Sequence, residues 1–188
     1  MSKLWFTSDT HFGSERTLTM SKRPFKTVKE MDGTIISNWN EVVREGDTVY
    51  HLGDFGDFNK VIDLNGNIIL ILGNYDRNKE VSRIDMINSG IFEIIDKNKH
   101  TVWINNKNTE YEFDKYNISM VHEPSKLDRV YARNCFSLFG HIHKLQMVKK
   151  FGLNVGVDCH NFYPIDLDTV LFYKNAIDKF YDNEVFDN

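Results

Sequence analysis

The sequence predicts an α/β fold, a four-layer αββα sandwich of two mixed β-sheets flanked by helices. Three observations carry this. Short apolar runs alternate with helix-spaced segments in the first half of the chain, as βαβ units do. The second half holds mostly short strand-like runs and then a terminal helical stretch. No Pro-rich linker, internal repeat or low-complexity tract divides the 188 residues, so 1–188 is read as a single domain.

Lys3 to Thr7 reads as a strand that stops at Ser8-Asp9. A helix follows, opened by a capping box in which Thr27 caps and Glu30 reaches back. Its apolar positions Val28, Met31, Ile35, Trp39, Val42 and Val43 keep helical spacing, and Gly46 is the expected end. Thr48 to Leu52 is a second strand, Asn65-Gly66 a turn, and Ile68 to Leu72 a third strand, apolar on both faces as in a covered sheet. Lys79 to Ser89 reads as a helix closed by Gly90.

Thr101 to Asn105 and Glu110 to Phe113 suggest a hairpin. Ile118 to Val121, Phe136 to Phe139, Gln146 to Lys150 and Leu153 to Val157 are further strand candidates, and Leu167 to Tyr181 is a closing helix.

Composition excludes several classes. With 41% hydrophobic and 27% charged residues the chain is neither disordered nor membrane-embedded; its longest aliphatic run, Ile68 to Leu72, is far short of a span. The net charge of −4 and scattered Lys and Arg give no basic stripe for a long duplex. Small or exposed phosphate substrates are easier to support than a long duplex, unless the fold gathers a local basic patch. Oligomeric state is not legible. The two cysteines, Cys135 and Cys159, form no CxxC pair and read as small buried residues. No signal peptide is visible, and the chain is read as cytoplasmic.

Five polar clusters fall where apolar runs stop: Asp9-Thr10-His11, Gly53-Asp54, Gly73-Asn74-Tyr75-Asp76, Val121-His122 and Gly140-His141-Ile142-His143. Ligand sites in α/β folds gather at the carboxyl ends of strands. Residues two apart in an extended segment share a face, so Asp9 and His11 can approach one metal, and His141 and His143 can serve one metal or two neighbours. A glycine before a ligand lets the backbone bend as it leaves the sheet. Each cluster alone has an ordinary explanation as a turn or a satisfied histidine; the five in order make the case for metal. Imidazole with carboxylate suits Mn, Fe, Zn, Co or Ni.

These motifs resemble the calcineurin-like metallophosphoesterase superfamily, from Trp5-Phe6-Thr7-Ser8-Asp9-Thr10-His11 through Asn154-Val155-Gly156-Val157-Asp158. Arg23-Pro24-Phe25, Asn38-Trp39-Asn40 and Tyr50-His51-Leu52-Gly53-Asp54-Phe55 are similar to a small bacterial and phage branch of it. The resemblance implies two divalent cations, with manganese favoured. Asp9, His11, Asp54 and His143 would hold the first, and Asp54, Asn74, His122 and His141 the second. It further implies a bridging hydroxide that attacks phosphorus in line, without a covalent enzyme intermediate. The expected activity is a metallophosphodiesterase, with a small phosphoester such as a nucleotide as its partner; the alternatives are a phosphomonoesterase with the same centre or a non-catalytic metal-binding scaffold.

Two positions depart from the pattern. Tyr75 stands where the superfamily usually has the histidine of Gly-Asn-His-Asp, and Ser14 where the branch often has a histidine. A phenol of pKa about 10 donates a hydrogen bond but is a poor proton shuttle at neutral pH, which tilts the reading toward diesters. Candidate catalytic residues are Asp54, Asn74, Tyr75 and Asp76, with Asp76 either orienting its neighbours or capping a helix. Candidate substrate contacts are Asn74, Tyr75 and Arg77; Lys126 and Arg129 also follow ligand loops but read as solvated charge. His51 is expected to be structural. Asp57 lacks the following Arg-Gly of protein phosphatases, which disfavours that activity.

Overall fold

The computed structural model describes residues 2–78, 81–97, 99–105, 115–127 and 135–186. Strand β1 (Leu4–Thr7) leads through helices α1 (Glu15–Met20) and α2 (Val28–Val42) to β2 (Thr48–His51) and β3 (Asn67–Ile71). Two short helices, α3 (Asn74–Arg77) and α4 (Arg83–Asn88), precede β4 (Glu93–Ile95). Then come β5 (His100–Asn105), β6 (Lys115–Met120), β7 (Cys135–Phe139), β8 (Val148–Lys149), β9 (Gly152–Asn154) and β10 (Ile165–Asp166). Helices α5 (Leu167–Phe180) and α6 (Asn183–Phe186) close the chain.

The strands form two five-stranded sheets, ordered β10-β1-β2-β3-β4 and β5-β6-β7-β9-β8. Both are mixed. In the first, β1 to β4 run parallel and β10 joins antiparallel. In the second, β6, β7 and β9 are parallel, with antiparallel strands at both edges. This is the expected α/β sandwich of two mixed sheets with helices.

Alternation along the strands builds two cores. Phe6, Ile69, Ile71 and Ile95 of the first sheet meet Ile118, Met120, Phe136, Leu138 and Leu153 of the second, with Val170, Leu171 and Ile177 of α5. Trp5, Val49, Ile68 and Leu70, on the opposite face, pack on Met31, Ile35 and Trp39 of α2. β3 is therefore apolar on both faces because both are covered, as its sequence implied.

Several boundaries differ from the sequence expectation. The Thr27 hydroxyl does cap α2, accepting from Glu30 N, but the Glu30 carboxylate bonds the amide of Lys26 rather than of Thr27. α2 ends before Gly46, because Val43 turns extended and buries its side chain, and Asp47 ties Arg44 N to Lys3 N and Trp5 Nε1. The helix expected from Lys79 starts only at Arg83. There Ser82 and Asp85 make a capping box, and Gly90 at φ +110 does close it. The strand expected at Glu110 to Phe113 lies outside the described residues; among the described residues β5 pairs with β6, Thr101 opposite Ser119. α1, β4 and β10 had no sequence expectation; Ser14 caps α1 by accepting from Thr17 N.

Candidate metal centre

The parallel strands β1, β2 and β3 end side by side, Thr7 opposite His51 and His51 opposite Leu70, while β6 and β7 end together across the seam. The loops leaving them stay laced: Asp9 N donates to Gly53 O, His11 N to Asp54 O, and Gly140 N to His122 O. Contacts also cross from sheet to sheet. His141 N donates to Asp9 Oδ2 at 2.9 Å, and His122 Nδ1 lies 2.7 Å from Leu52 O.

The loops turn unusually sharply. Asp9, His11, Asp54, His141 and His143 all have positive φ, between 48° and 72°, where L-residues other than glycine are uncommon. The ligand residues themselves carry the bend that the sequence assigned to the glycines before them. Of those glycines Gly53 does have positive φ, +99°, but Gly73 and Gly140 are needed for room. A Cβ on Gly140 would stand 2.1 Å from Ser8 Oγ and 2.4 Å from Asp9 Oδ2.

Two groups of donors result: Asp9, His11 and His143, and Asp54, His122 and His141. Within each, the nearest ligand atoms all lie within 4.8 Å of one another. Asn74 joins the second group, its Oδ1 lying 3.0 Å from both His122 Nε2 and His141 Nδ1. Asp54 stands between the groups. Its Oδ1 accepts from Tyr75 N at 2.9 Å, and its Oδ2 lies 3.5 Å from His11 Nε2 and 3.4 Å from His122 Nε2. All seven expected ligands thus converge.

The donor set fits divalent cations. Asp9 Oδ1 and His11 Nε2 are buried yet have no hydrogen-bond partner, a costly state for polar atoms unless something binds them. Among the described residues neither donor group includes a thiol. Cys159 is a free thiol pushed up to about 12, chiefly by burial, and bonded to His143 O.

Electrostatics sets the protonation of each histidine. Burial pulls His11 down to about 4 despite the Asp9 and Asp54 charges, so it is neutral and ready to ligate. Burial also opposes charge on His122, but the hydrogen bond to Asp54 and the Asp9 and Asp54 charges outweigh it and raise the pKa to about 9. Nδ1 faces the Leu52 carbonyl, so Nε2 is the atom left to hold a metal, and it would have to lose its proton to do so. Above about pH 4 and below about pH 9, metal uptake should therefore release one proton at His122 and none at His11. Apparent affinity should rise by up to about tenfold per pH unit toward pH 9. Calorimetric metal titration in two buffers of different ionisation enthalpy measures that proton.

A second tier holds the ligands. Asp158 Oδ2 accepts from His143 Nδ1 at 2.7 Å, which leaves Nε2 for a metal. Arg23, its side chain fully buried, grips both Asp158 oxygens and also donates to the carbonyls of Asp9 and Thr10. Burial raises the Asp158 carboxyl, but the His143 and Arg23 bonds win and bring it down to about 2. Arg23 and Asp158 stood in the recognised motifs without an assigned role; the signal was their presence there. Asn154 likewise donates to His143 O and accepts from Gly156 N.

The remaining candidates fall as follows. Asp76 is buried and accepts from the amides of Gly73, Asp54 and Phe55, so it both caps α3 and braces the Asp54 loop. Tyr75 is half-buried, its ring edge-on to His11 at 5.0 Å. Arg77 turns to Asp96 and the Lys97 carbonyl. His51 is brought down to about 3 by burial; it accepts from Gly53 N and faces the Thr10 hydroxyl, which donates to Phe55 O. Its role is structural, as expected. Asp57 caps a 3-10 turn. Lys126 pairs with Glu123, and Arg129 lies outside the described residues.

Comparison with known proteins agrees with this geometry. The family model for the calcineurin-like phosphoesterase superfamily domain matches residues 3–159. An uncharacterized protein of Methanocaldococcus jannaschii is 31% identical over 179 residues, covering 91% of this chain and 90% of that one. The gene 66 protein of Mycobacterium phage L5 is 36% identical over 85 residues, 40% of this chain and 41% of its own. Among solved structures, a protein of unknown function from Aquifex aeolicus superposes with a TM-score of 0.67 at 24% identity, covering 92% of this chain and all of that one. With its family model matching residues 3–159, which include all seven candidate metal-binding side chains, the chain belongs to the calcineurin-like phosphoesterase superfamily.

Proposed function

We propose that the chain is one catalytic domain, a phosphodiesterase that works with a dinuclear divalent metal centre, manganese favoured, on a small or nucleotide-type substrate. The observation that carries this is Asp54. One of its oxygens is fixed by the Tyr75 amide, and the other lies about equally far from His11 and His122, which belong to the two separate donor groups. Asp9, His11 and His143 would hold one cation, and Asn74, His122 and His141 the other, with Asp54 shared. When bound, such a pair clamps a phosphate, lowers the pKa of a water and stabilises in-line displacement.

The protein's own residues do the rest. Arg23 and Asp158 keep His143 aimed, and Asp76 keeps the Asp54 loop in place. Buried Asp9, His11, Asp54 and His122 wall the site from bulk water, while exposed His141 leaves one side open to substrate. Asn74 and Tyr75 stand half-buried beside that opening. The Tyr75 phenol offers a hydrogen bond to a phosphate oxygen but keeps its proton at neutral pH. That supports a diester over a monoester, whose leaving group the usual histidine would assist.

Net charge of −4 and the absence of a membrane-length apolar helix among the described residues support a small cytoplasmic substrate. With manganese present, bis-p-nitrophenyl phosphate should be hydrolysed faster than p-nitrophenyl phosphate, and chelation should stop both reactions. Cleavage of the monoester alone would overturn the diester reading and leave a phosphomonoesterase.

A further inference from the structure

One aromatic ring away from His11 lies a cation that the candidate ligand set leaves unused. Arg16 sits exposed on α1, its guanidinium carbon 5.9 Å from the centroid of the Tyr75 ring. That ring meets the His11 imidazole edge-on at 5.0 Å, and the Tyr75 amide holds Asp54 Oδ1. A single phenol ring therefore separates the guanidinium from one of the donor groups.

The chemistry of Arg16 is unspent. Its Nε donates to the thioether of Met20 at 3.2 Å, a weak acceptor. Among the described residues no carboxylate pairs with it, whereas Arg23 is committed to Asp158, Arg77 to Asp96 and Lys126 to Glu123. Its two terminal nitrogens keep their N–H groups for an incoming acceptor. Arginine suits such a place. Its planar guanidinium stacks on an aromatic face while still presenting a fork of donors that matches two phosphate oxygens, which a lysine ammonium cannot do.

Three features coincide here: an arginine within cation–π reach of an aromatic ring and lacking a carboxylate partner among the described residues, the edge-on contact of that ring with the His11 imidazole, and a neighbouring donor set that suits a phosphoesterase metal pair. We propose that Arg16 recognises the substrate phosphate at this site, taking its non-bridging oxygens with the terminal N–H groups, and that the Tyr75 ring is the seat that positions it. The proposal rests on the phosphoesterase reading above. Tyr75 thereby gains a second role, because its ring holds Arg16 whether or not the hydroxyl touches substrate.

The test uses the metal-loaded protein with two readouts, binding of inorganic phosphate by calorimetry and steady-state hydrolysis of bis-p-nitrophenyl phosphate. Arg16→Ala should weaken phosphate binding and raise KM by about tenfold, the size of a lost charge-assisted hydrogen bond. Metal content should stay as in the wild type, and the loss should fall on KM more than on kcat. Arg16→Lys should restore only part of the affinity. Tyr75→Leu, which removes both the seat and the hydroxyl, should lose at least as much as Arg16→Ala, and the double substitution should be no worse than Tyr75→Leu alone. Tyr75→Phe, which keeps the ring, should lose less phosphate affinity than Tyr75→Leu. Wild-type phosphate affinity and KM in Arg16→Ala would overturn the proposal, as would fully additive losses in the double variant. The phosphoesterase reading fails differently: no ester is hydrolysed by the loaded wild type, even where phosphate binding still depends on Arg16.

Discussion

Asp54→Asn is expected to lower kcat on a diester by about a thousandfold or more, the scale on which a charge poised at the transition state contributes. The substitution is nearly isosteric. The side-chain oxygen can still accept from Tyr75 N, so the loop and the fold should survive. What is lost is the negative charge between His11 and His122, and with an amide nitrogen in the Oδ2 position the shared donor is lost as well. Metal content should fall below two per chain together with turnover. Elemental analysis alongside kinetics checks both, and a variant with full activity would remove Asp54 from the mechanism.

Arg23→Ala should be the most destabilising single change at the site. Asp158 would remain ionised, with its side chain only 2% exposed and its main counter-charge gone. Breaking a buried pair from one side typically costs about 3–5 kcal/mol. For a chain of this length that lowers Tm by roughly 6–20 °C. The same change frees the carbonyls of Asp9 and Thr10 from their donor, so the first ligand loop loosens too. Replacing the pair together, Arg23→Met with Asp158→Leu, should recover most of the stability because no lone charge remains. It should not recover metal affinity at the Asp9–His11–His143 group, which should stay about 10–100-fold weaker with His143 no longer oriented. Thermal melts and metal titrations on the two variants separate these effects. If Arg23→Ala melts and binds metal like the wild type, the supporting role is wrong.

The sequence displays this site well because its ligands sit at element boundaries, which leave local marks. Gly53-Asp54 and Gly140-His141 follow apolar runs, and the spacing of Asp9 with His11 and of His141 with His143 is visible without a fold. α2 and β3 were likewise legible, one from apolar spacing behind a threonine cap and the other from an unbroken aliphatic run. Elements fixed by distant partners were not. β10 has two residues and exists because β1 has a free edge, and β4 is three residues long beside β3. The partnership of β5 with β6 is set across residues whose own pattern suggested a nearer hairpin.

The same limit applies to side chains. Arg23 and Asp158 are separated by 135 positions, so no local pattern joins them. Asp76 looked equally like a cap or an orienting group, and it is both, because one carboxylate reaches three amides on two loops. The seat of Arg16 on Tyr75 depends on how α1 and α3 face each other, which spacing along the chain does not encode.

Whether Asp54 is shared by two cations can be read from a crystal of the manganese-loaded protein by anomalous scattering at the metal. Two anomalous peaks about 3.5–4 Å apart are expected, one beside Asp9, His11 and His143, the other beside Asn74, His122 and His141, with an Asp54 oxygen between them. A single peak, or two peaks with Asp54 turned away from either, would contradict that sharing.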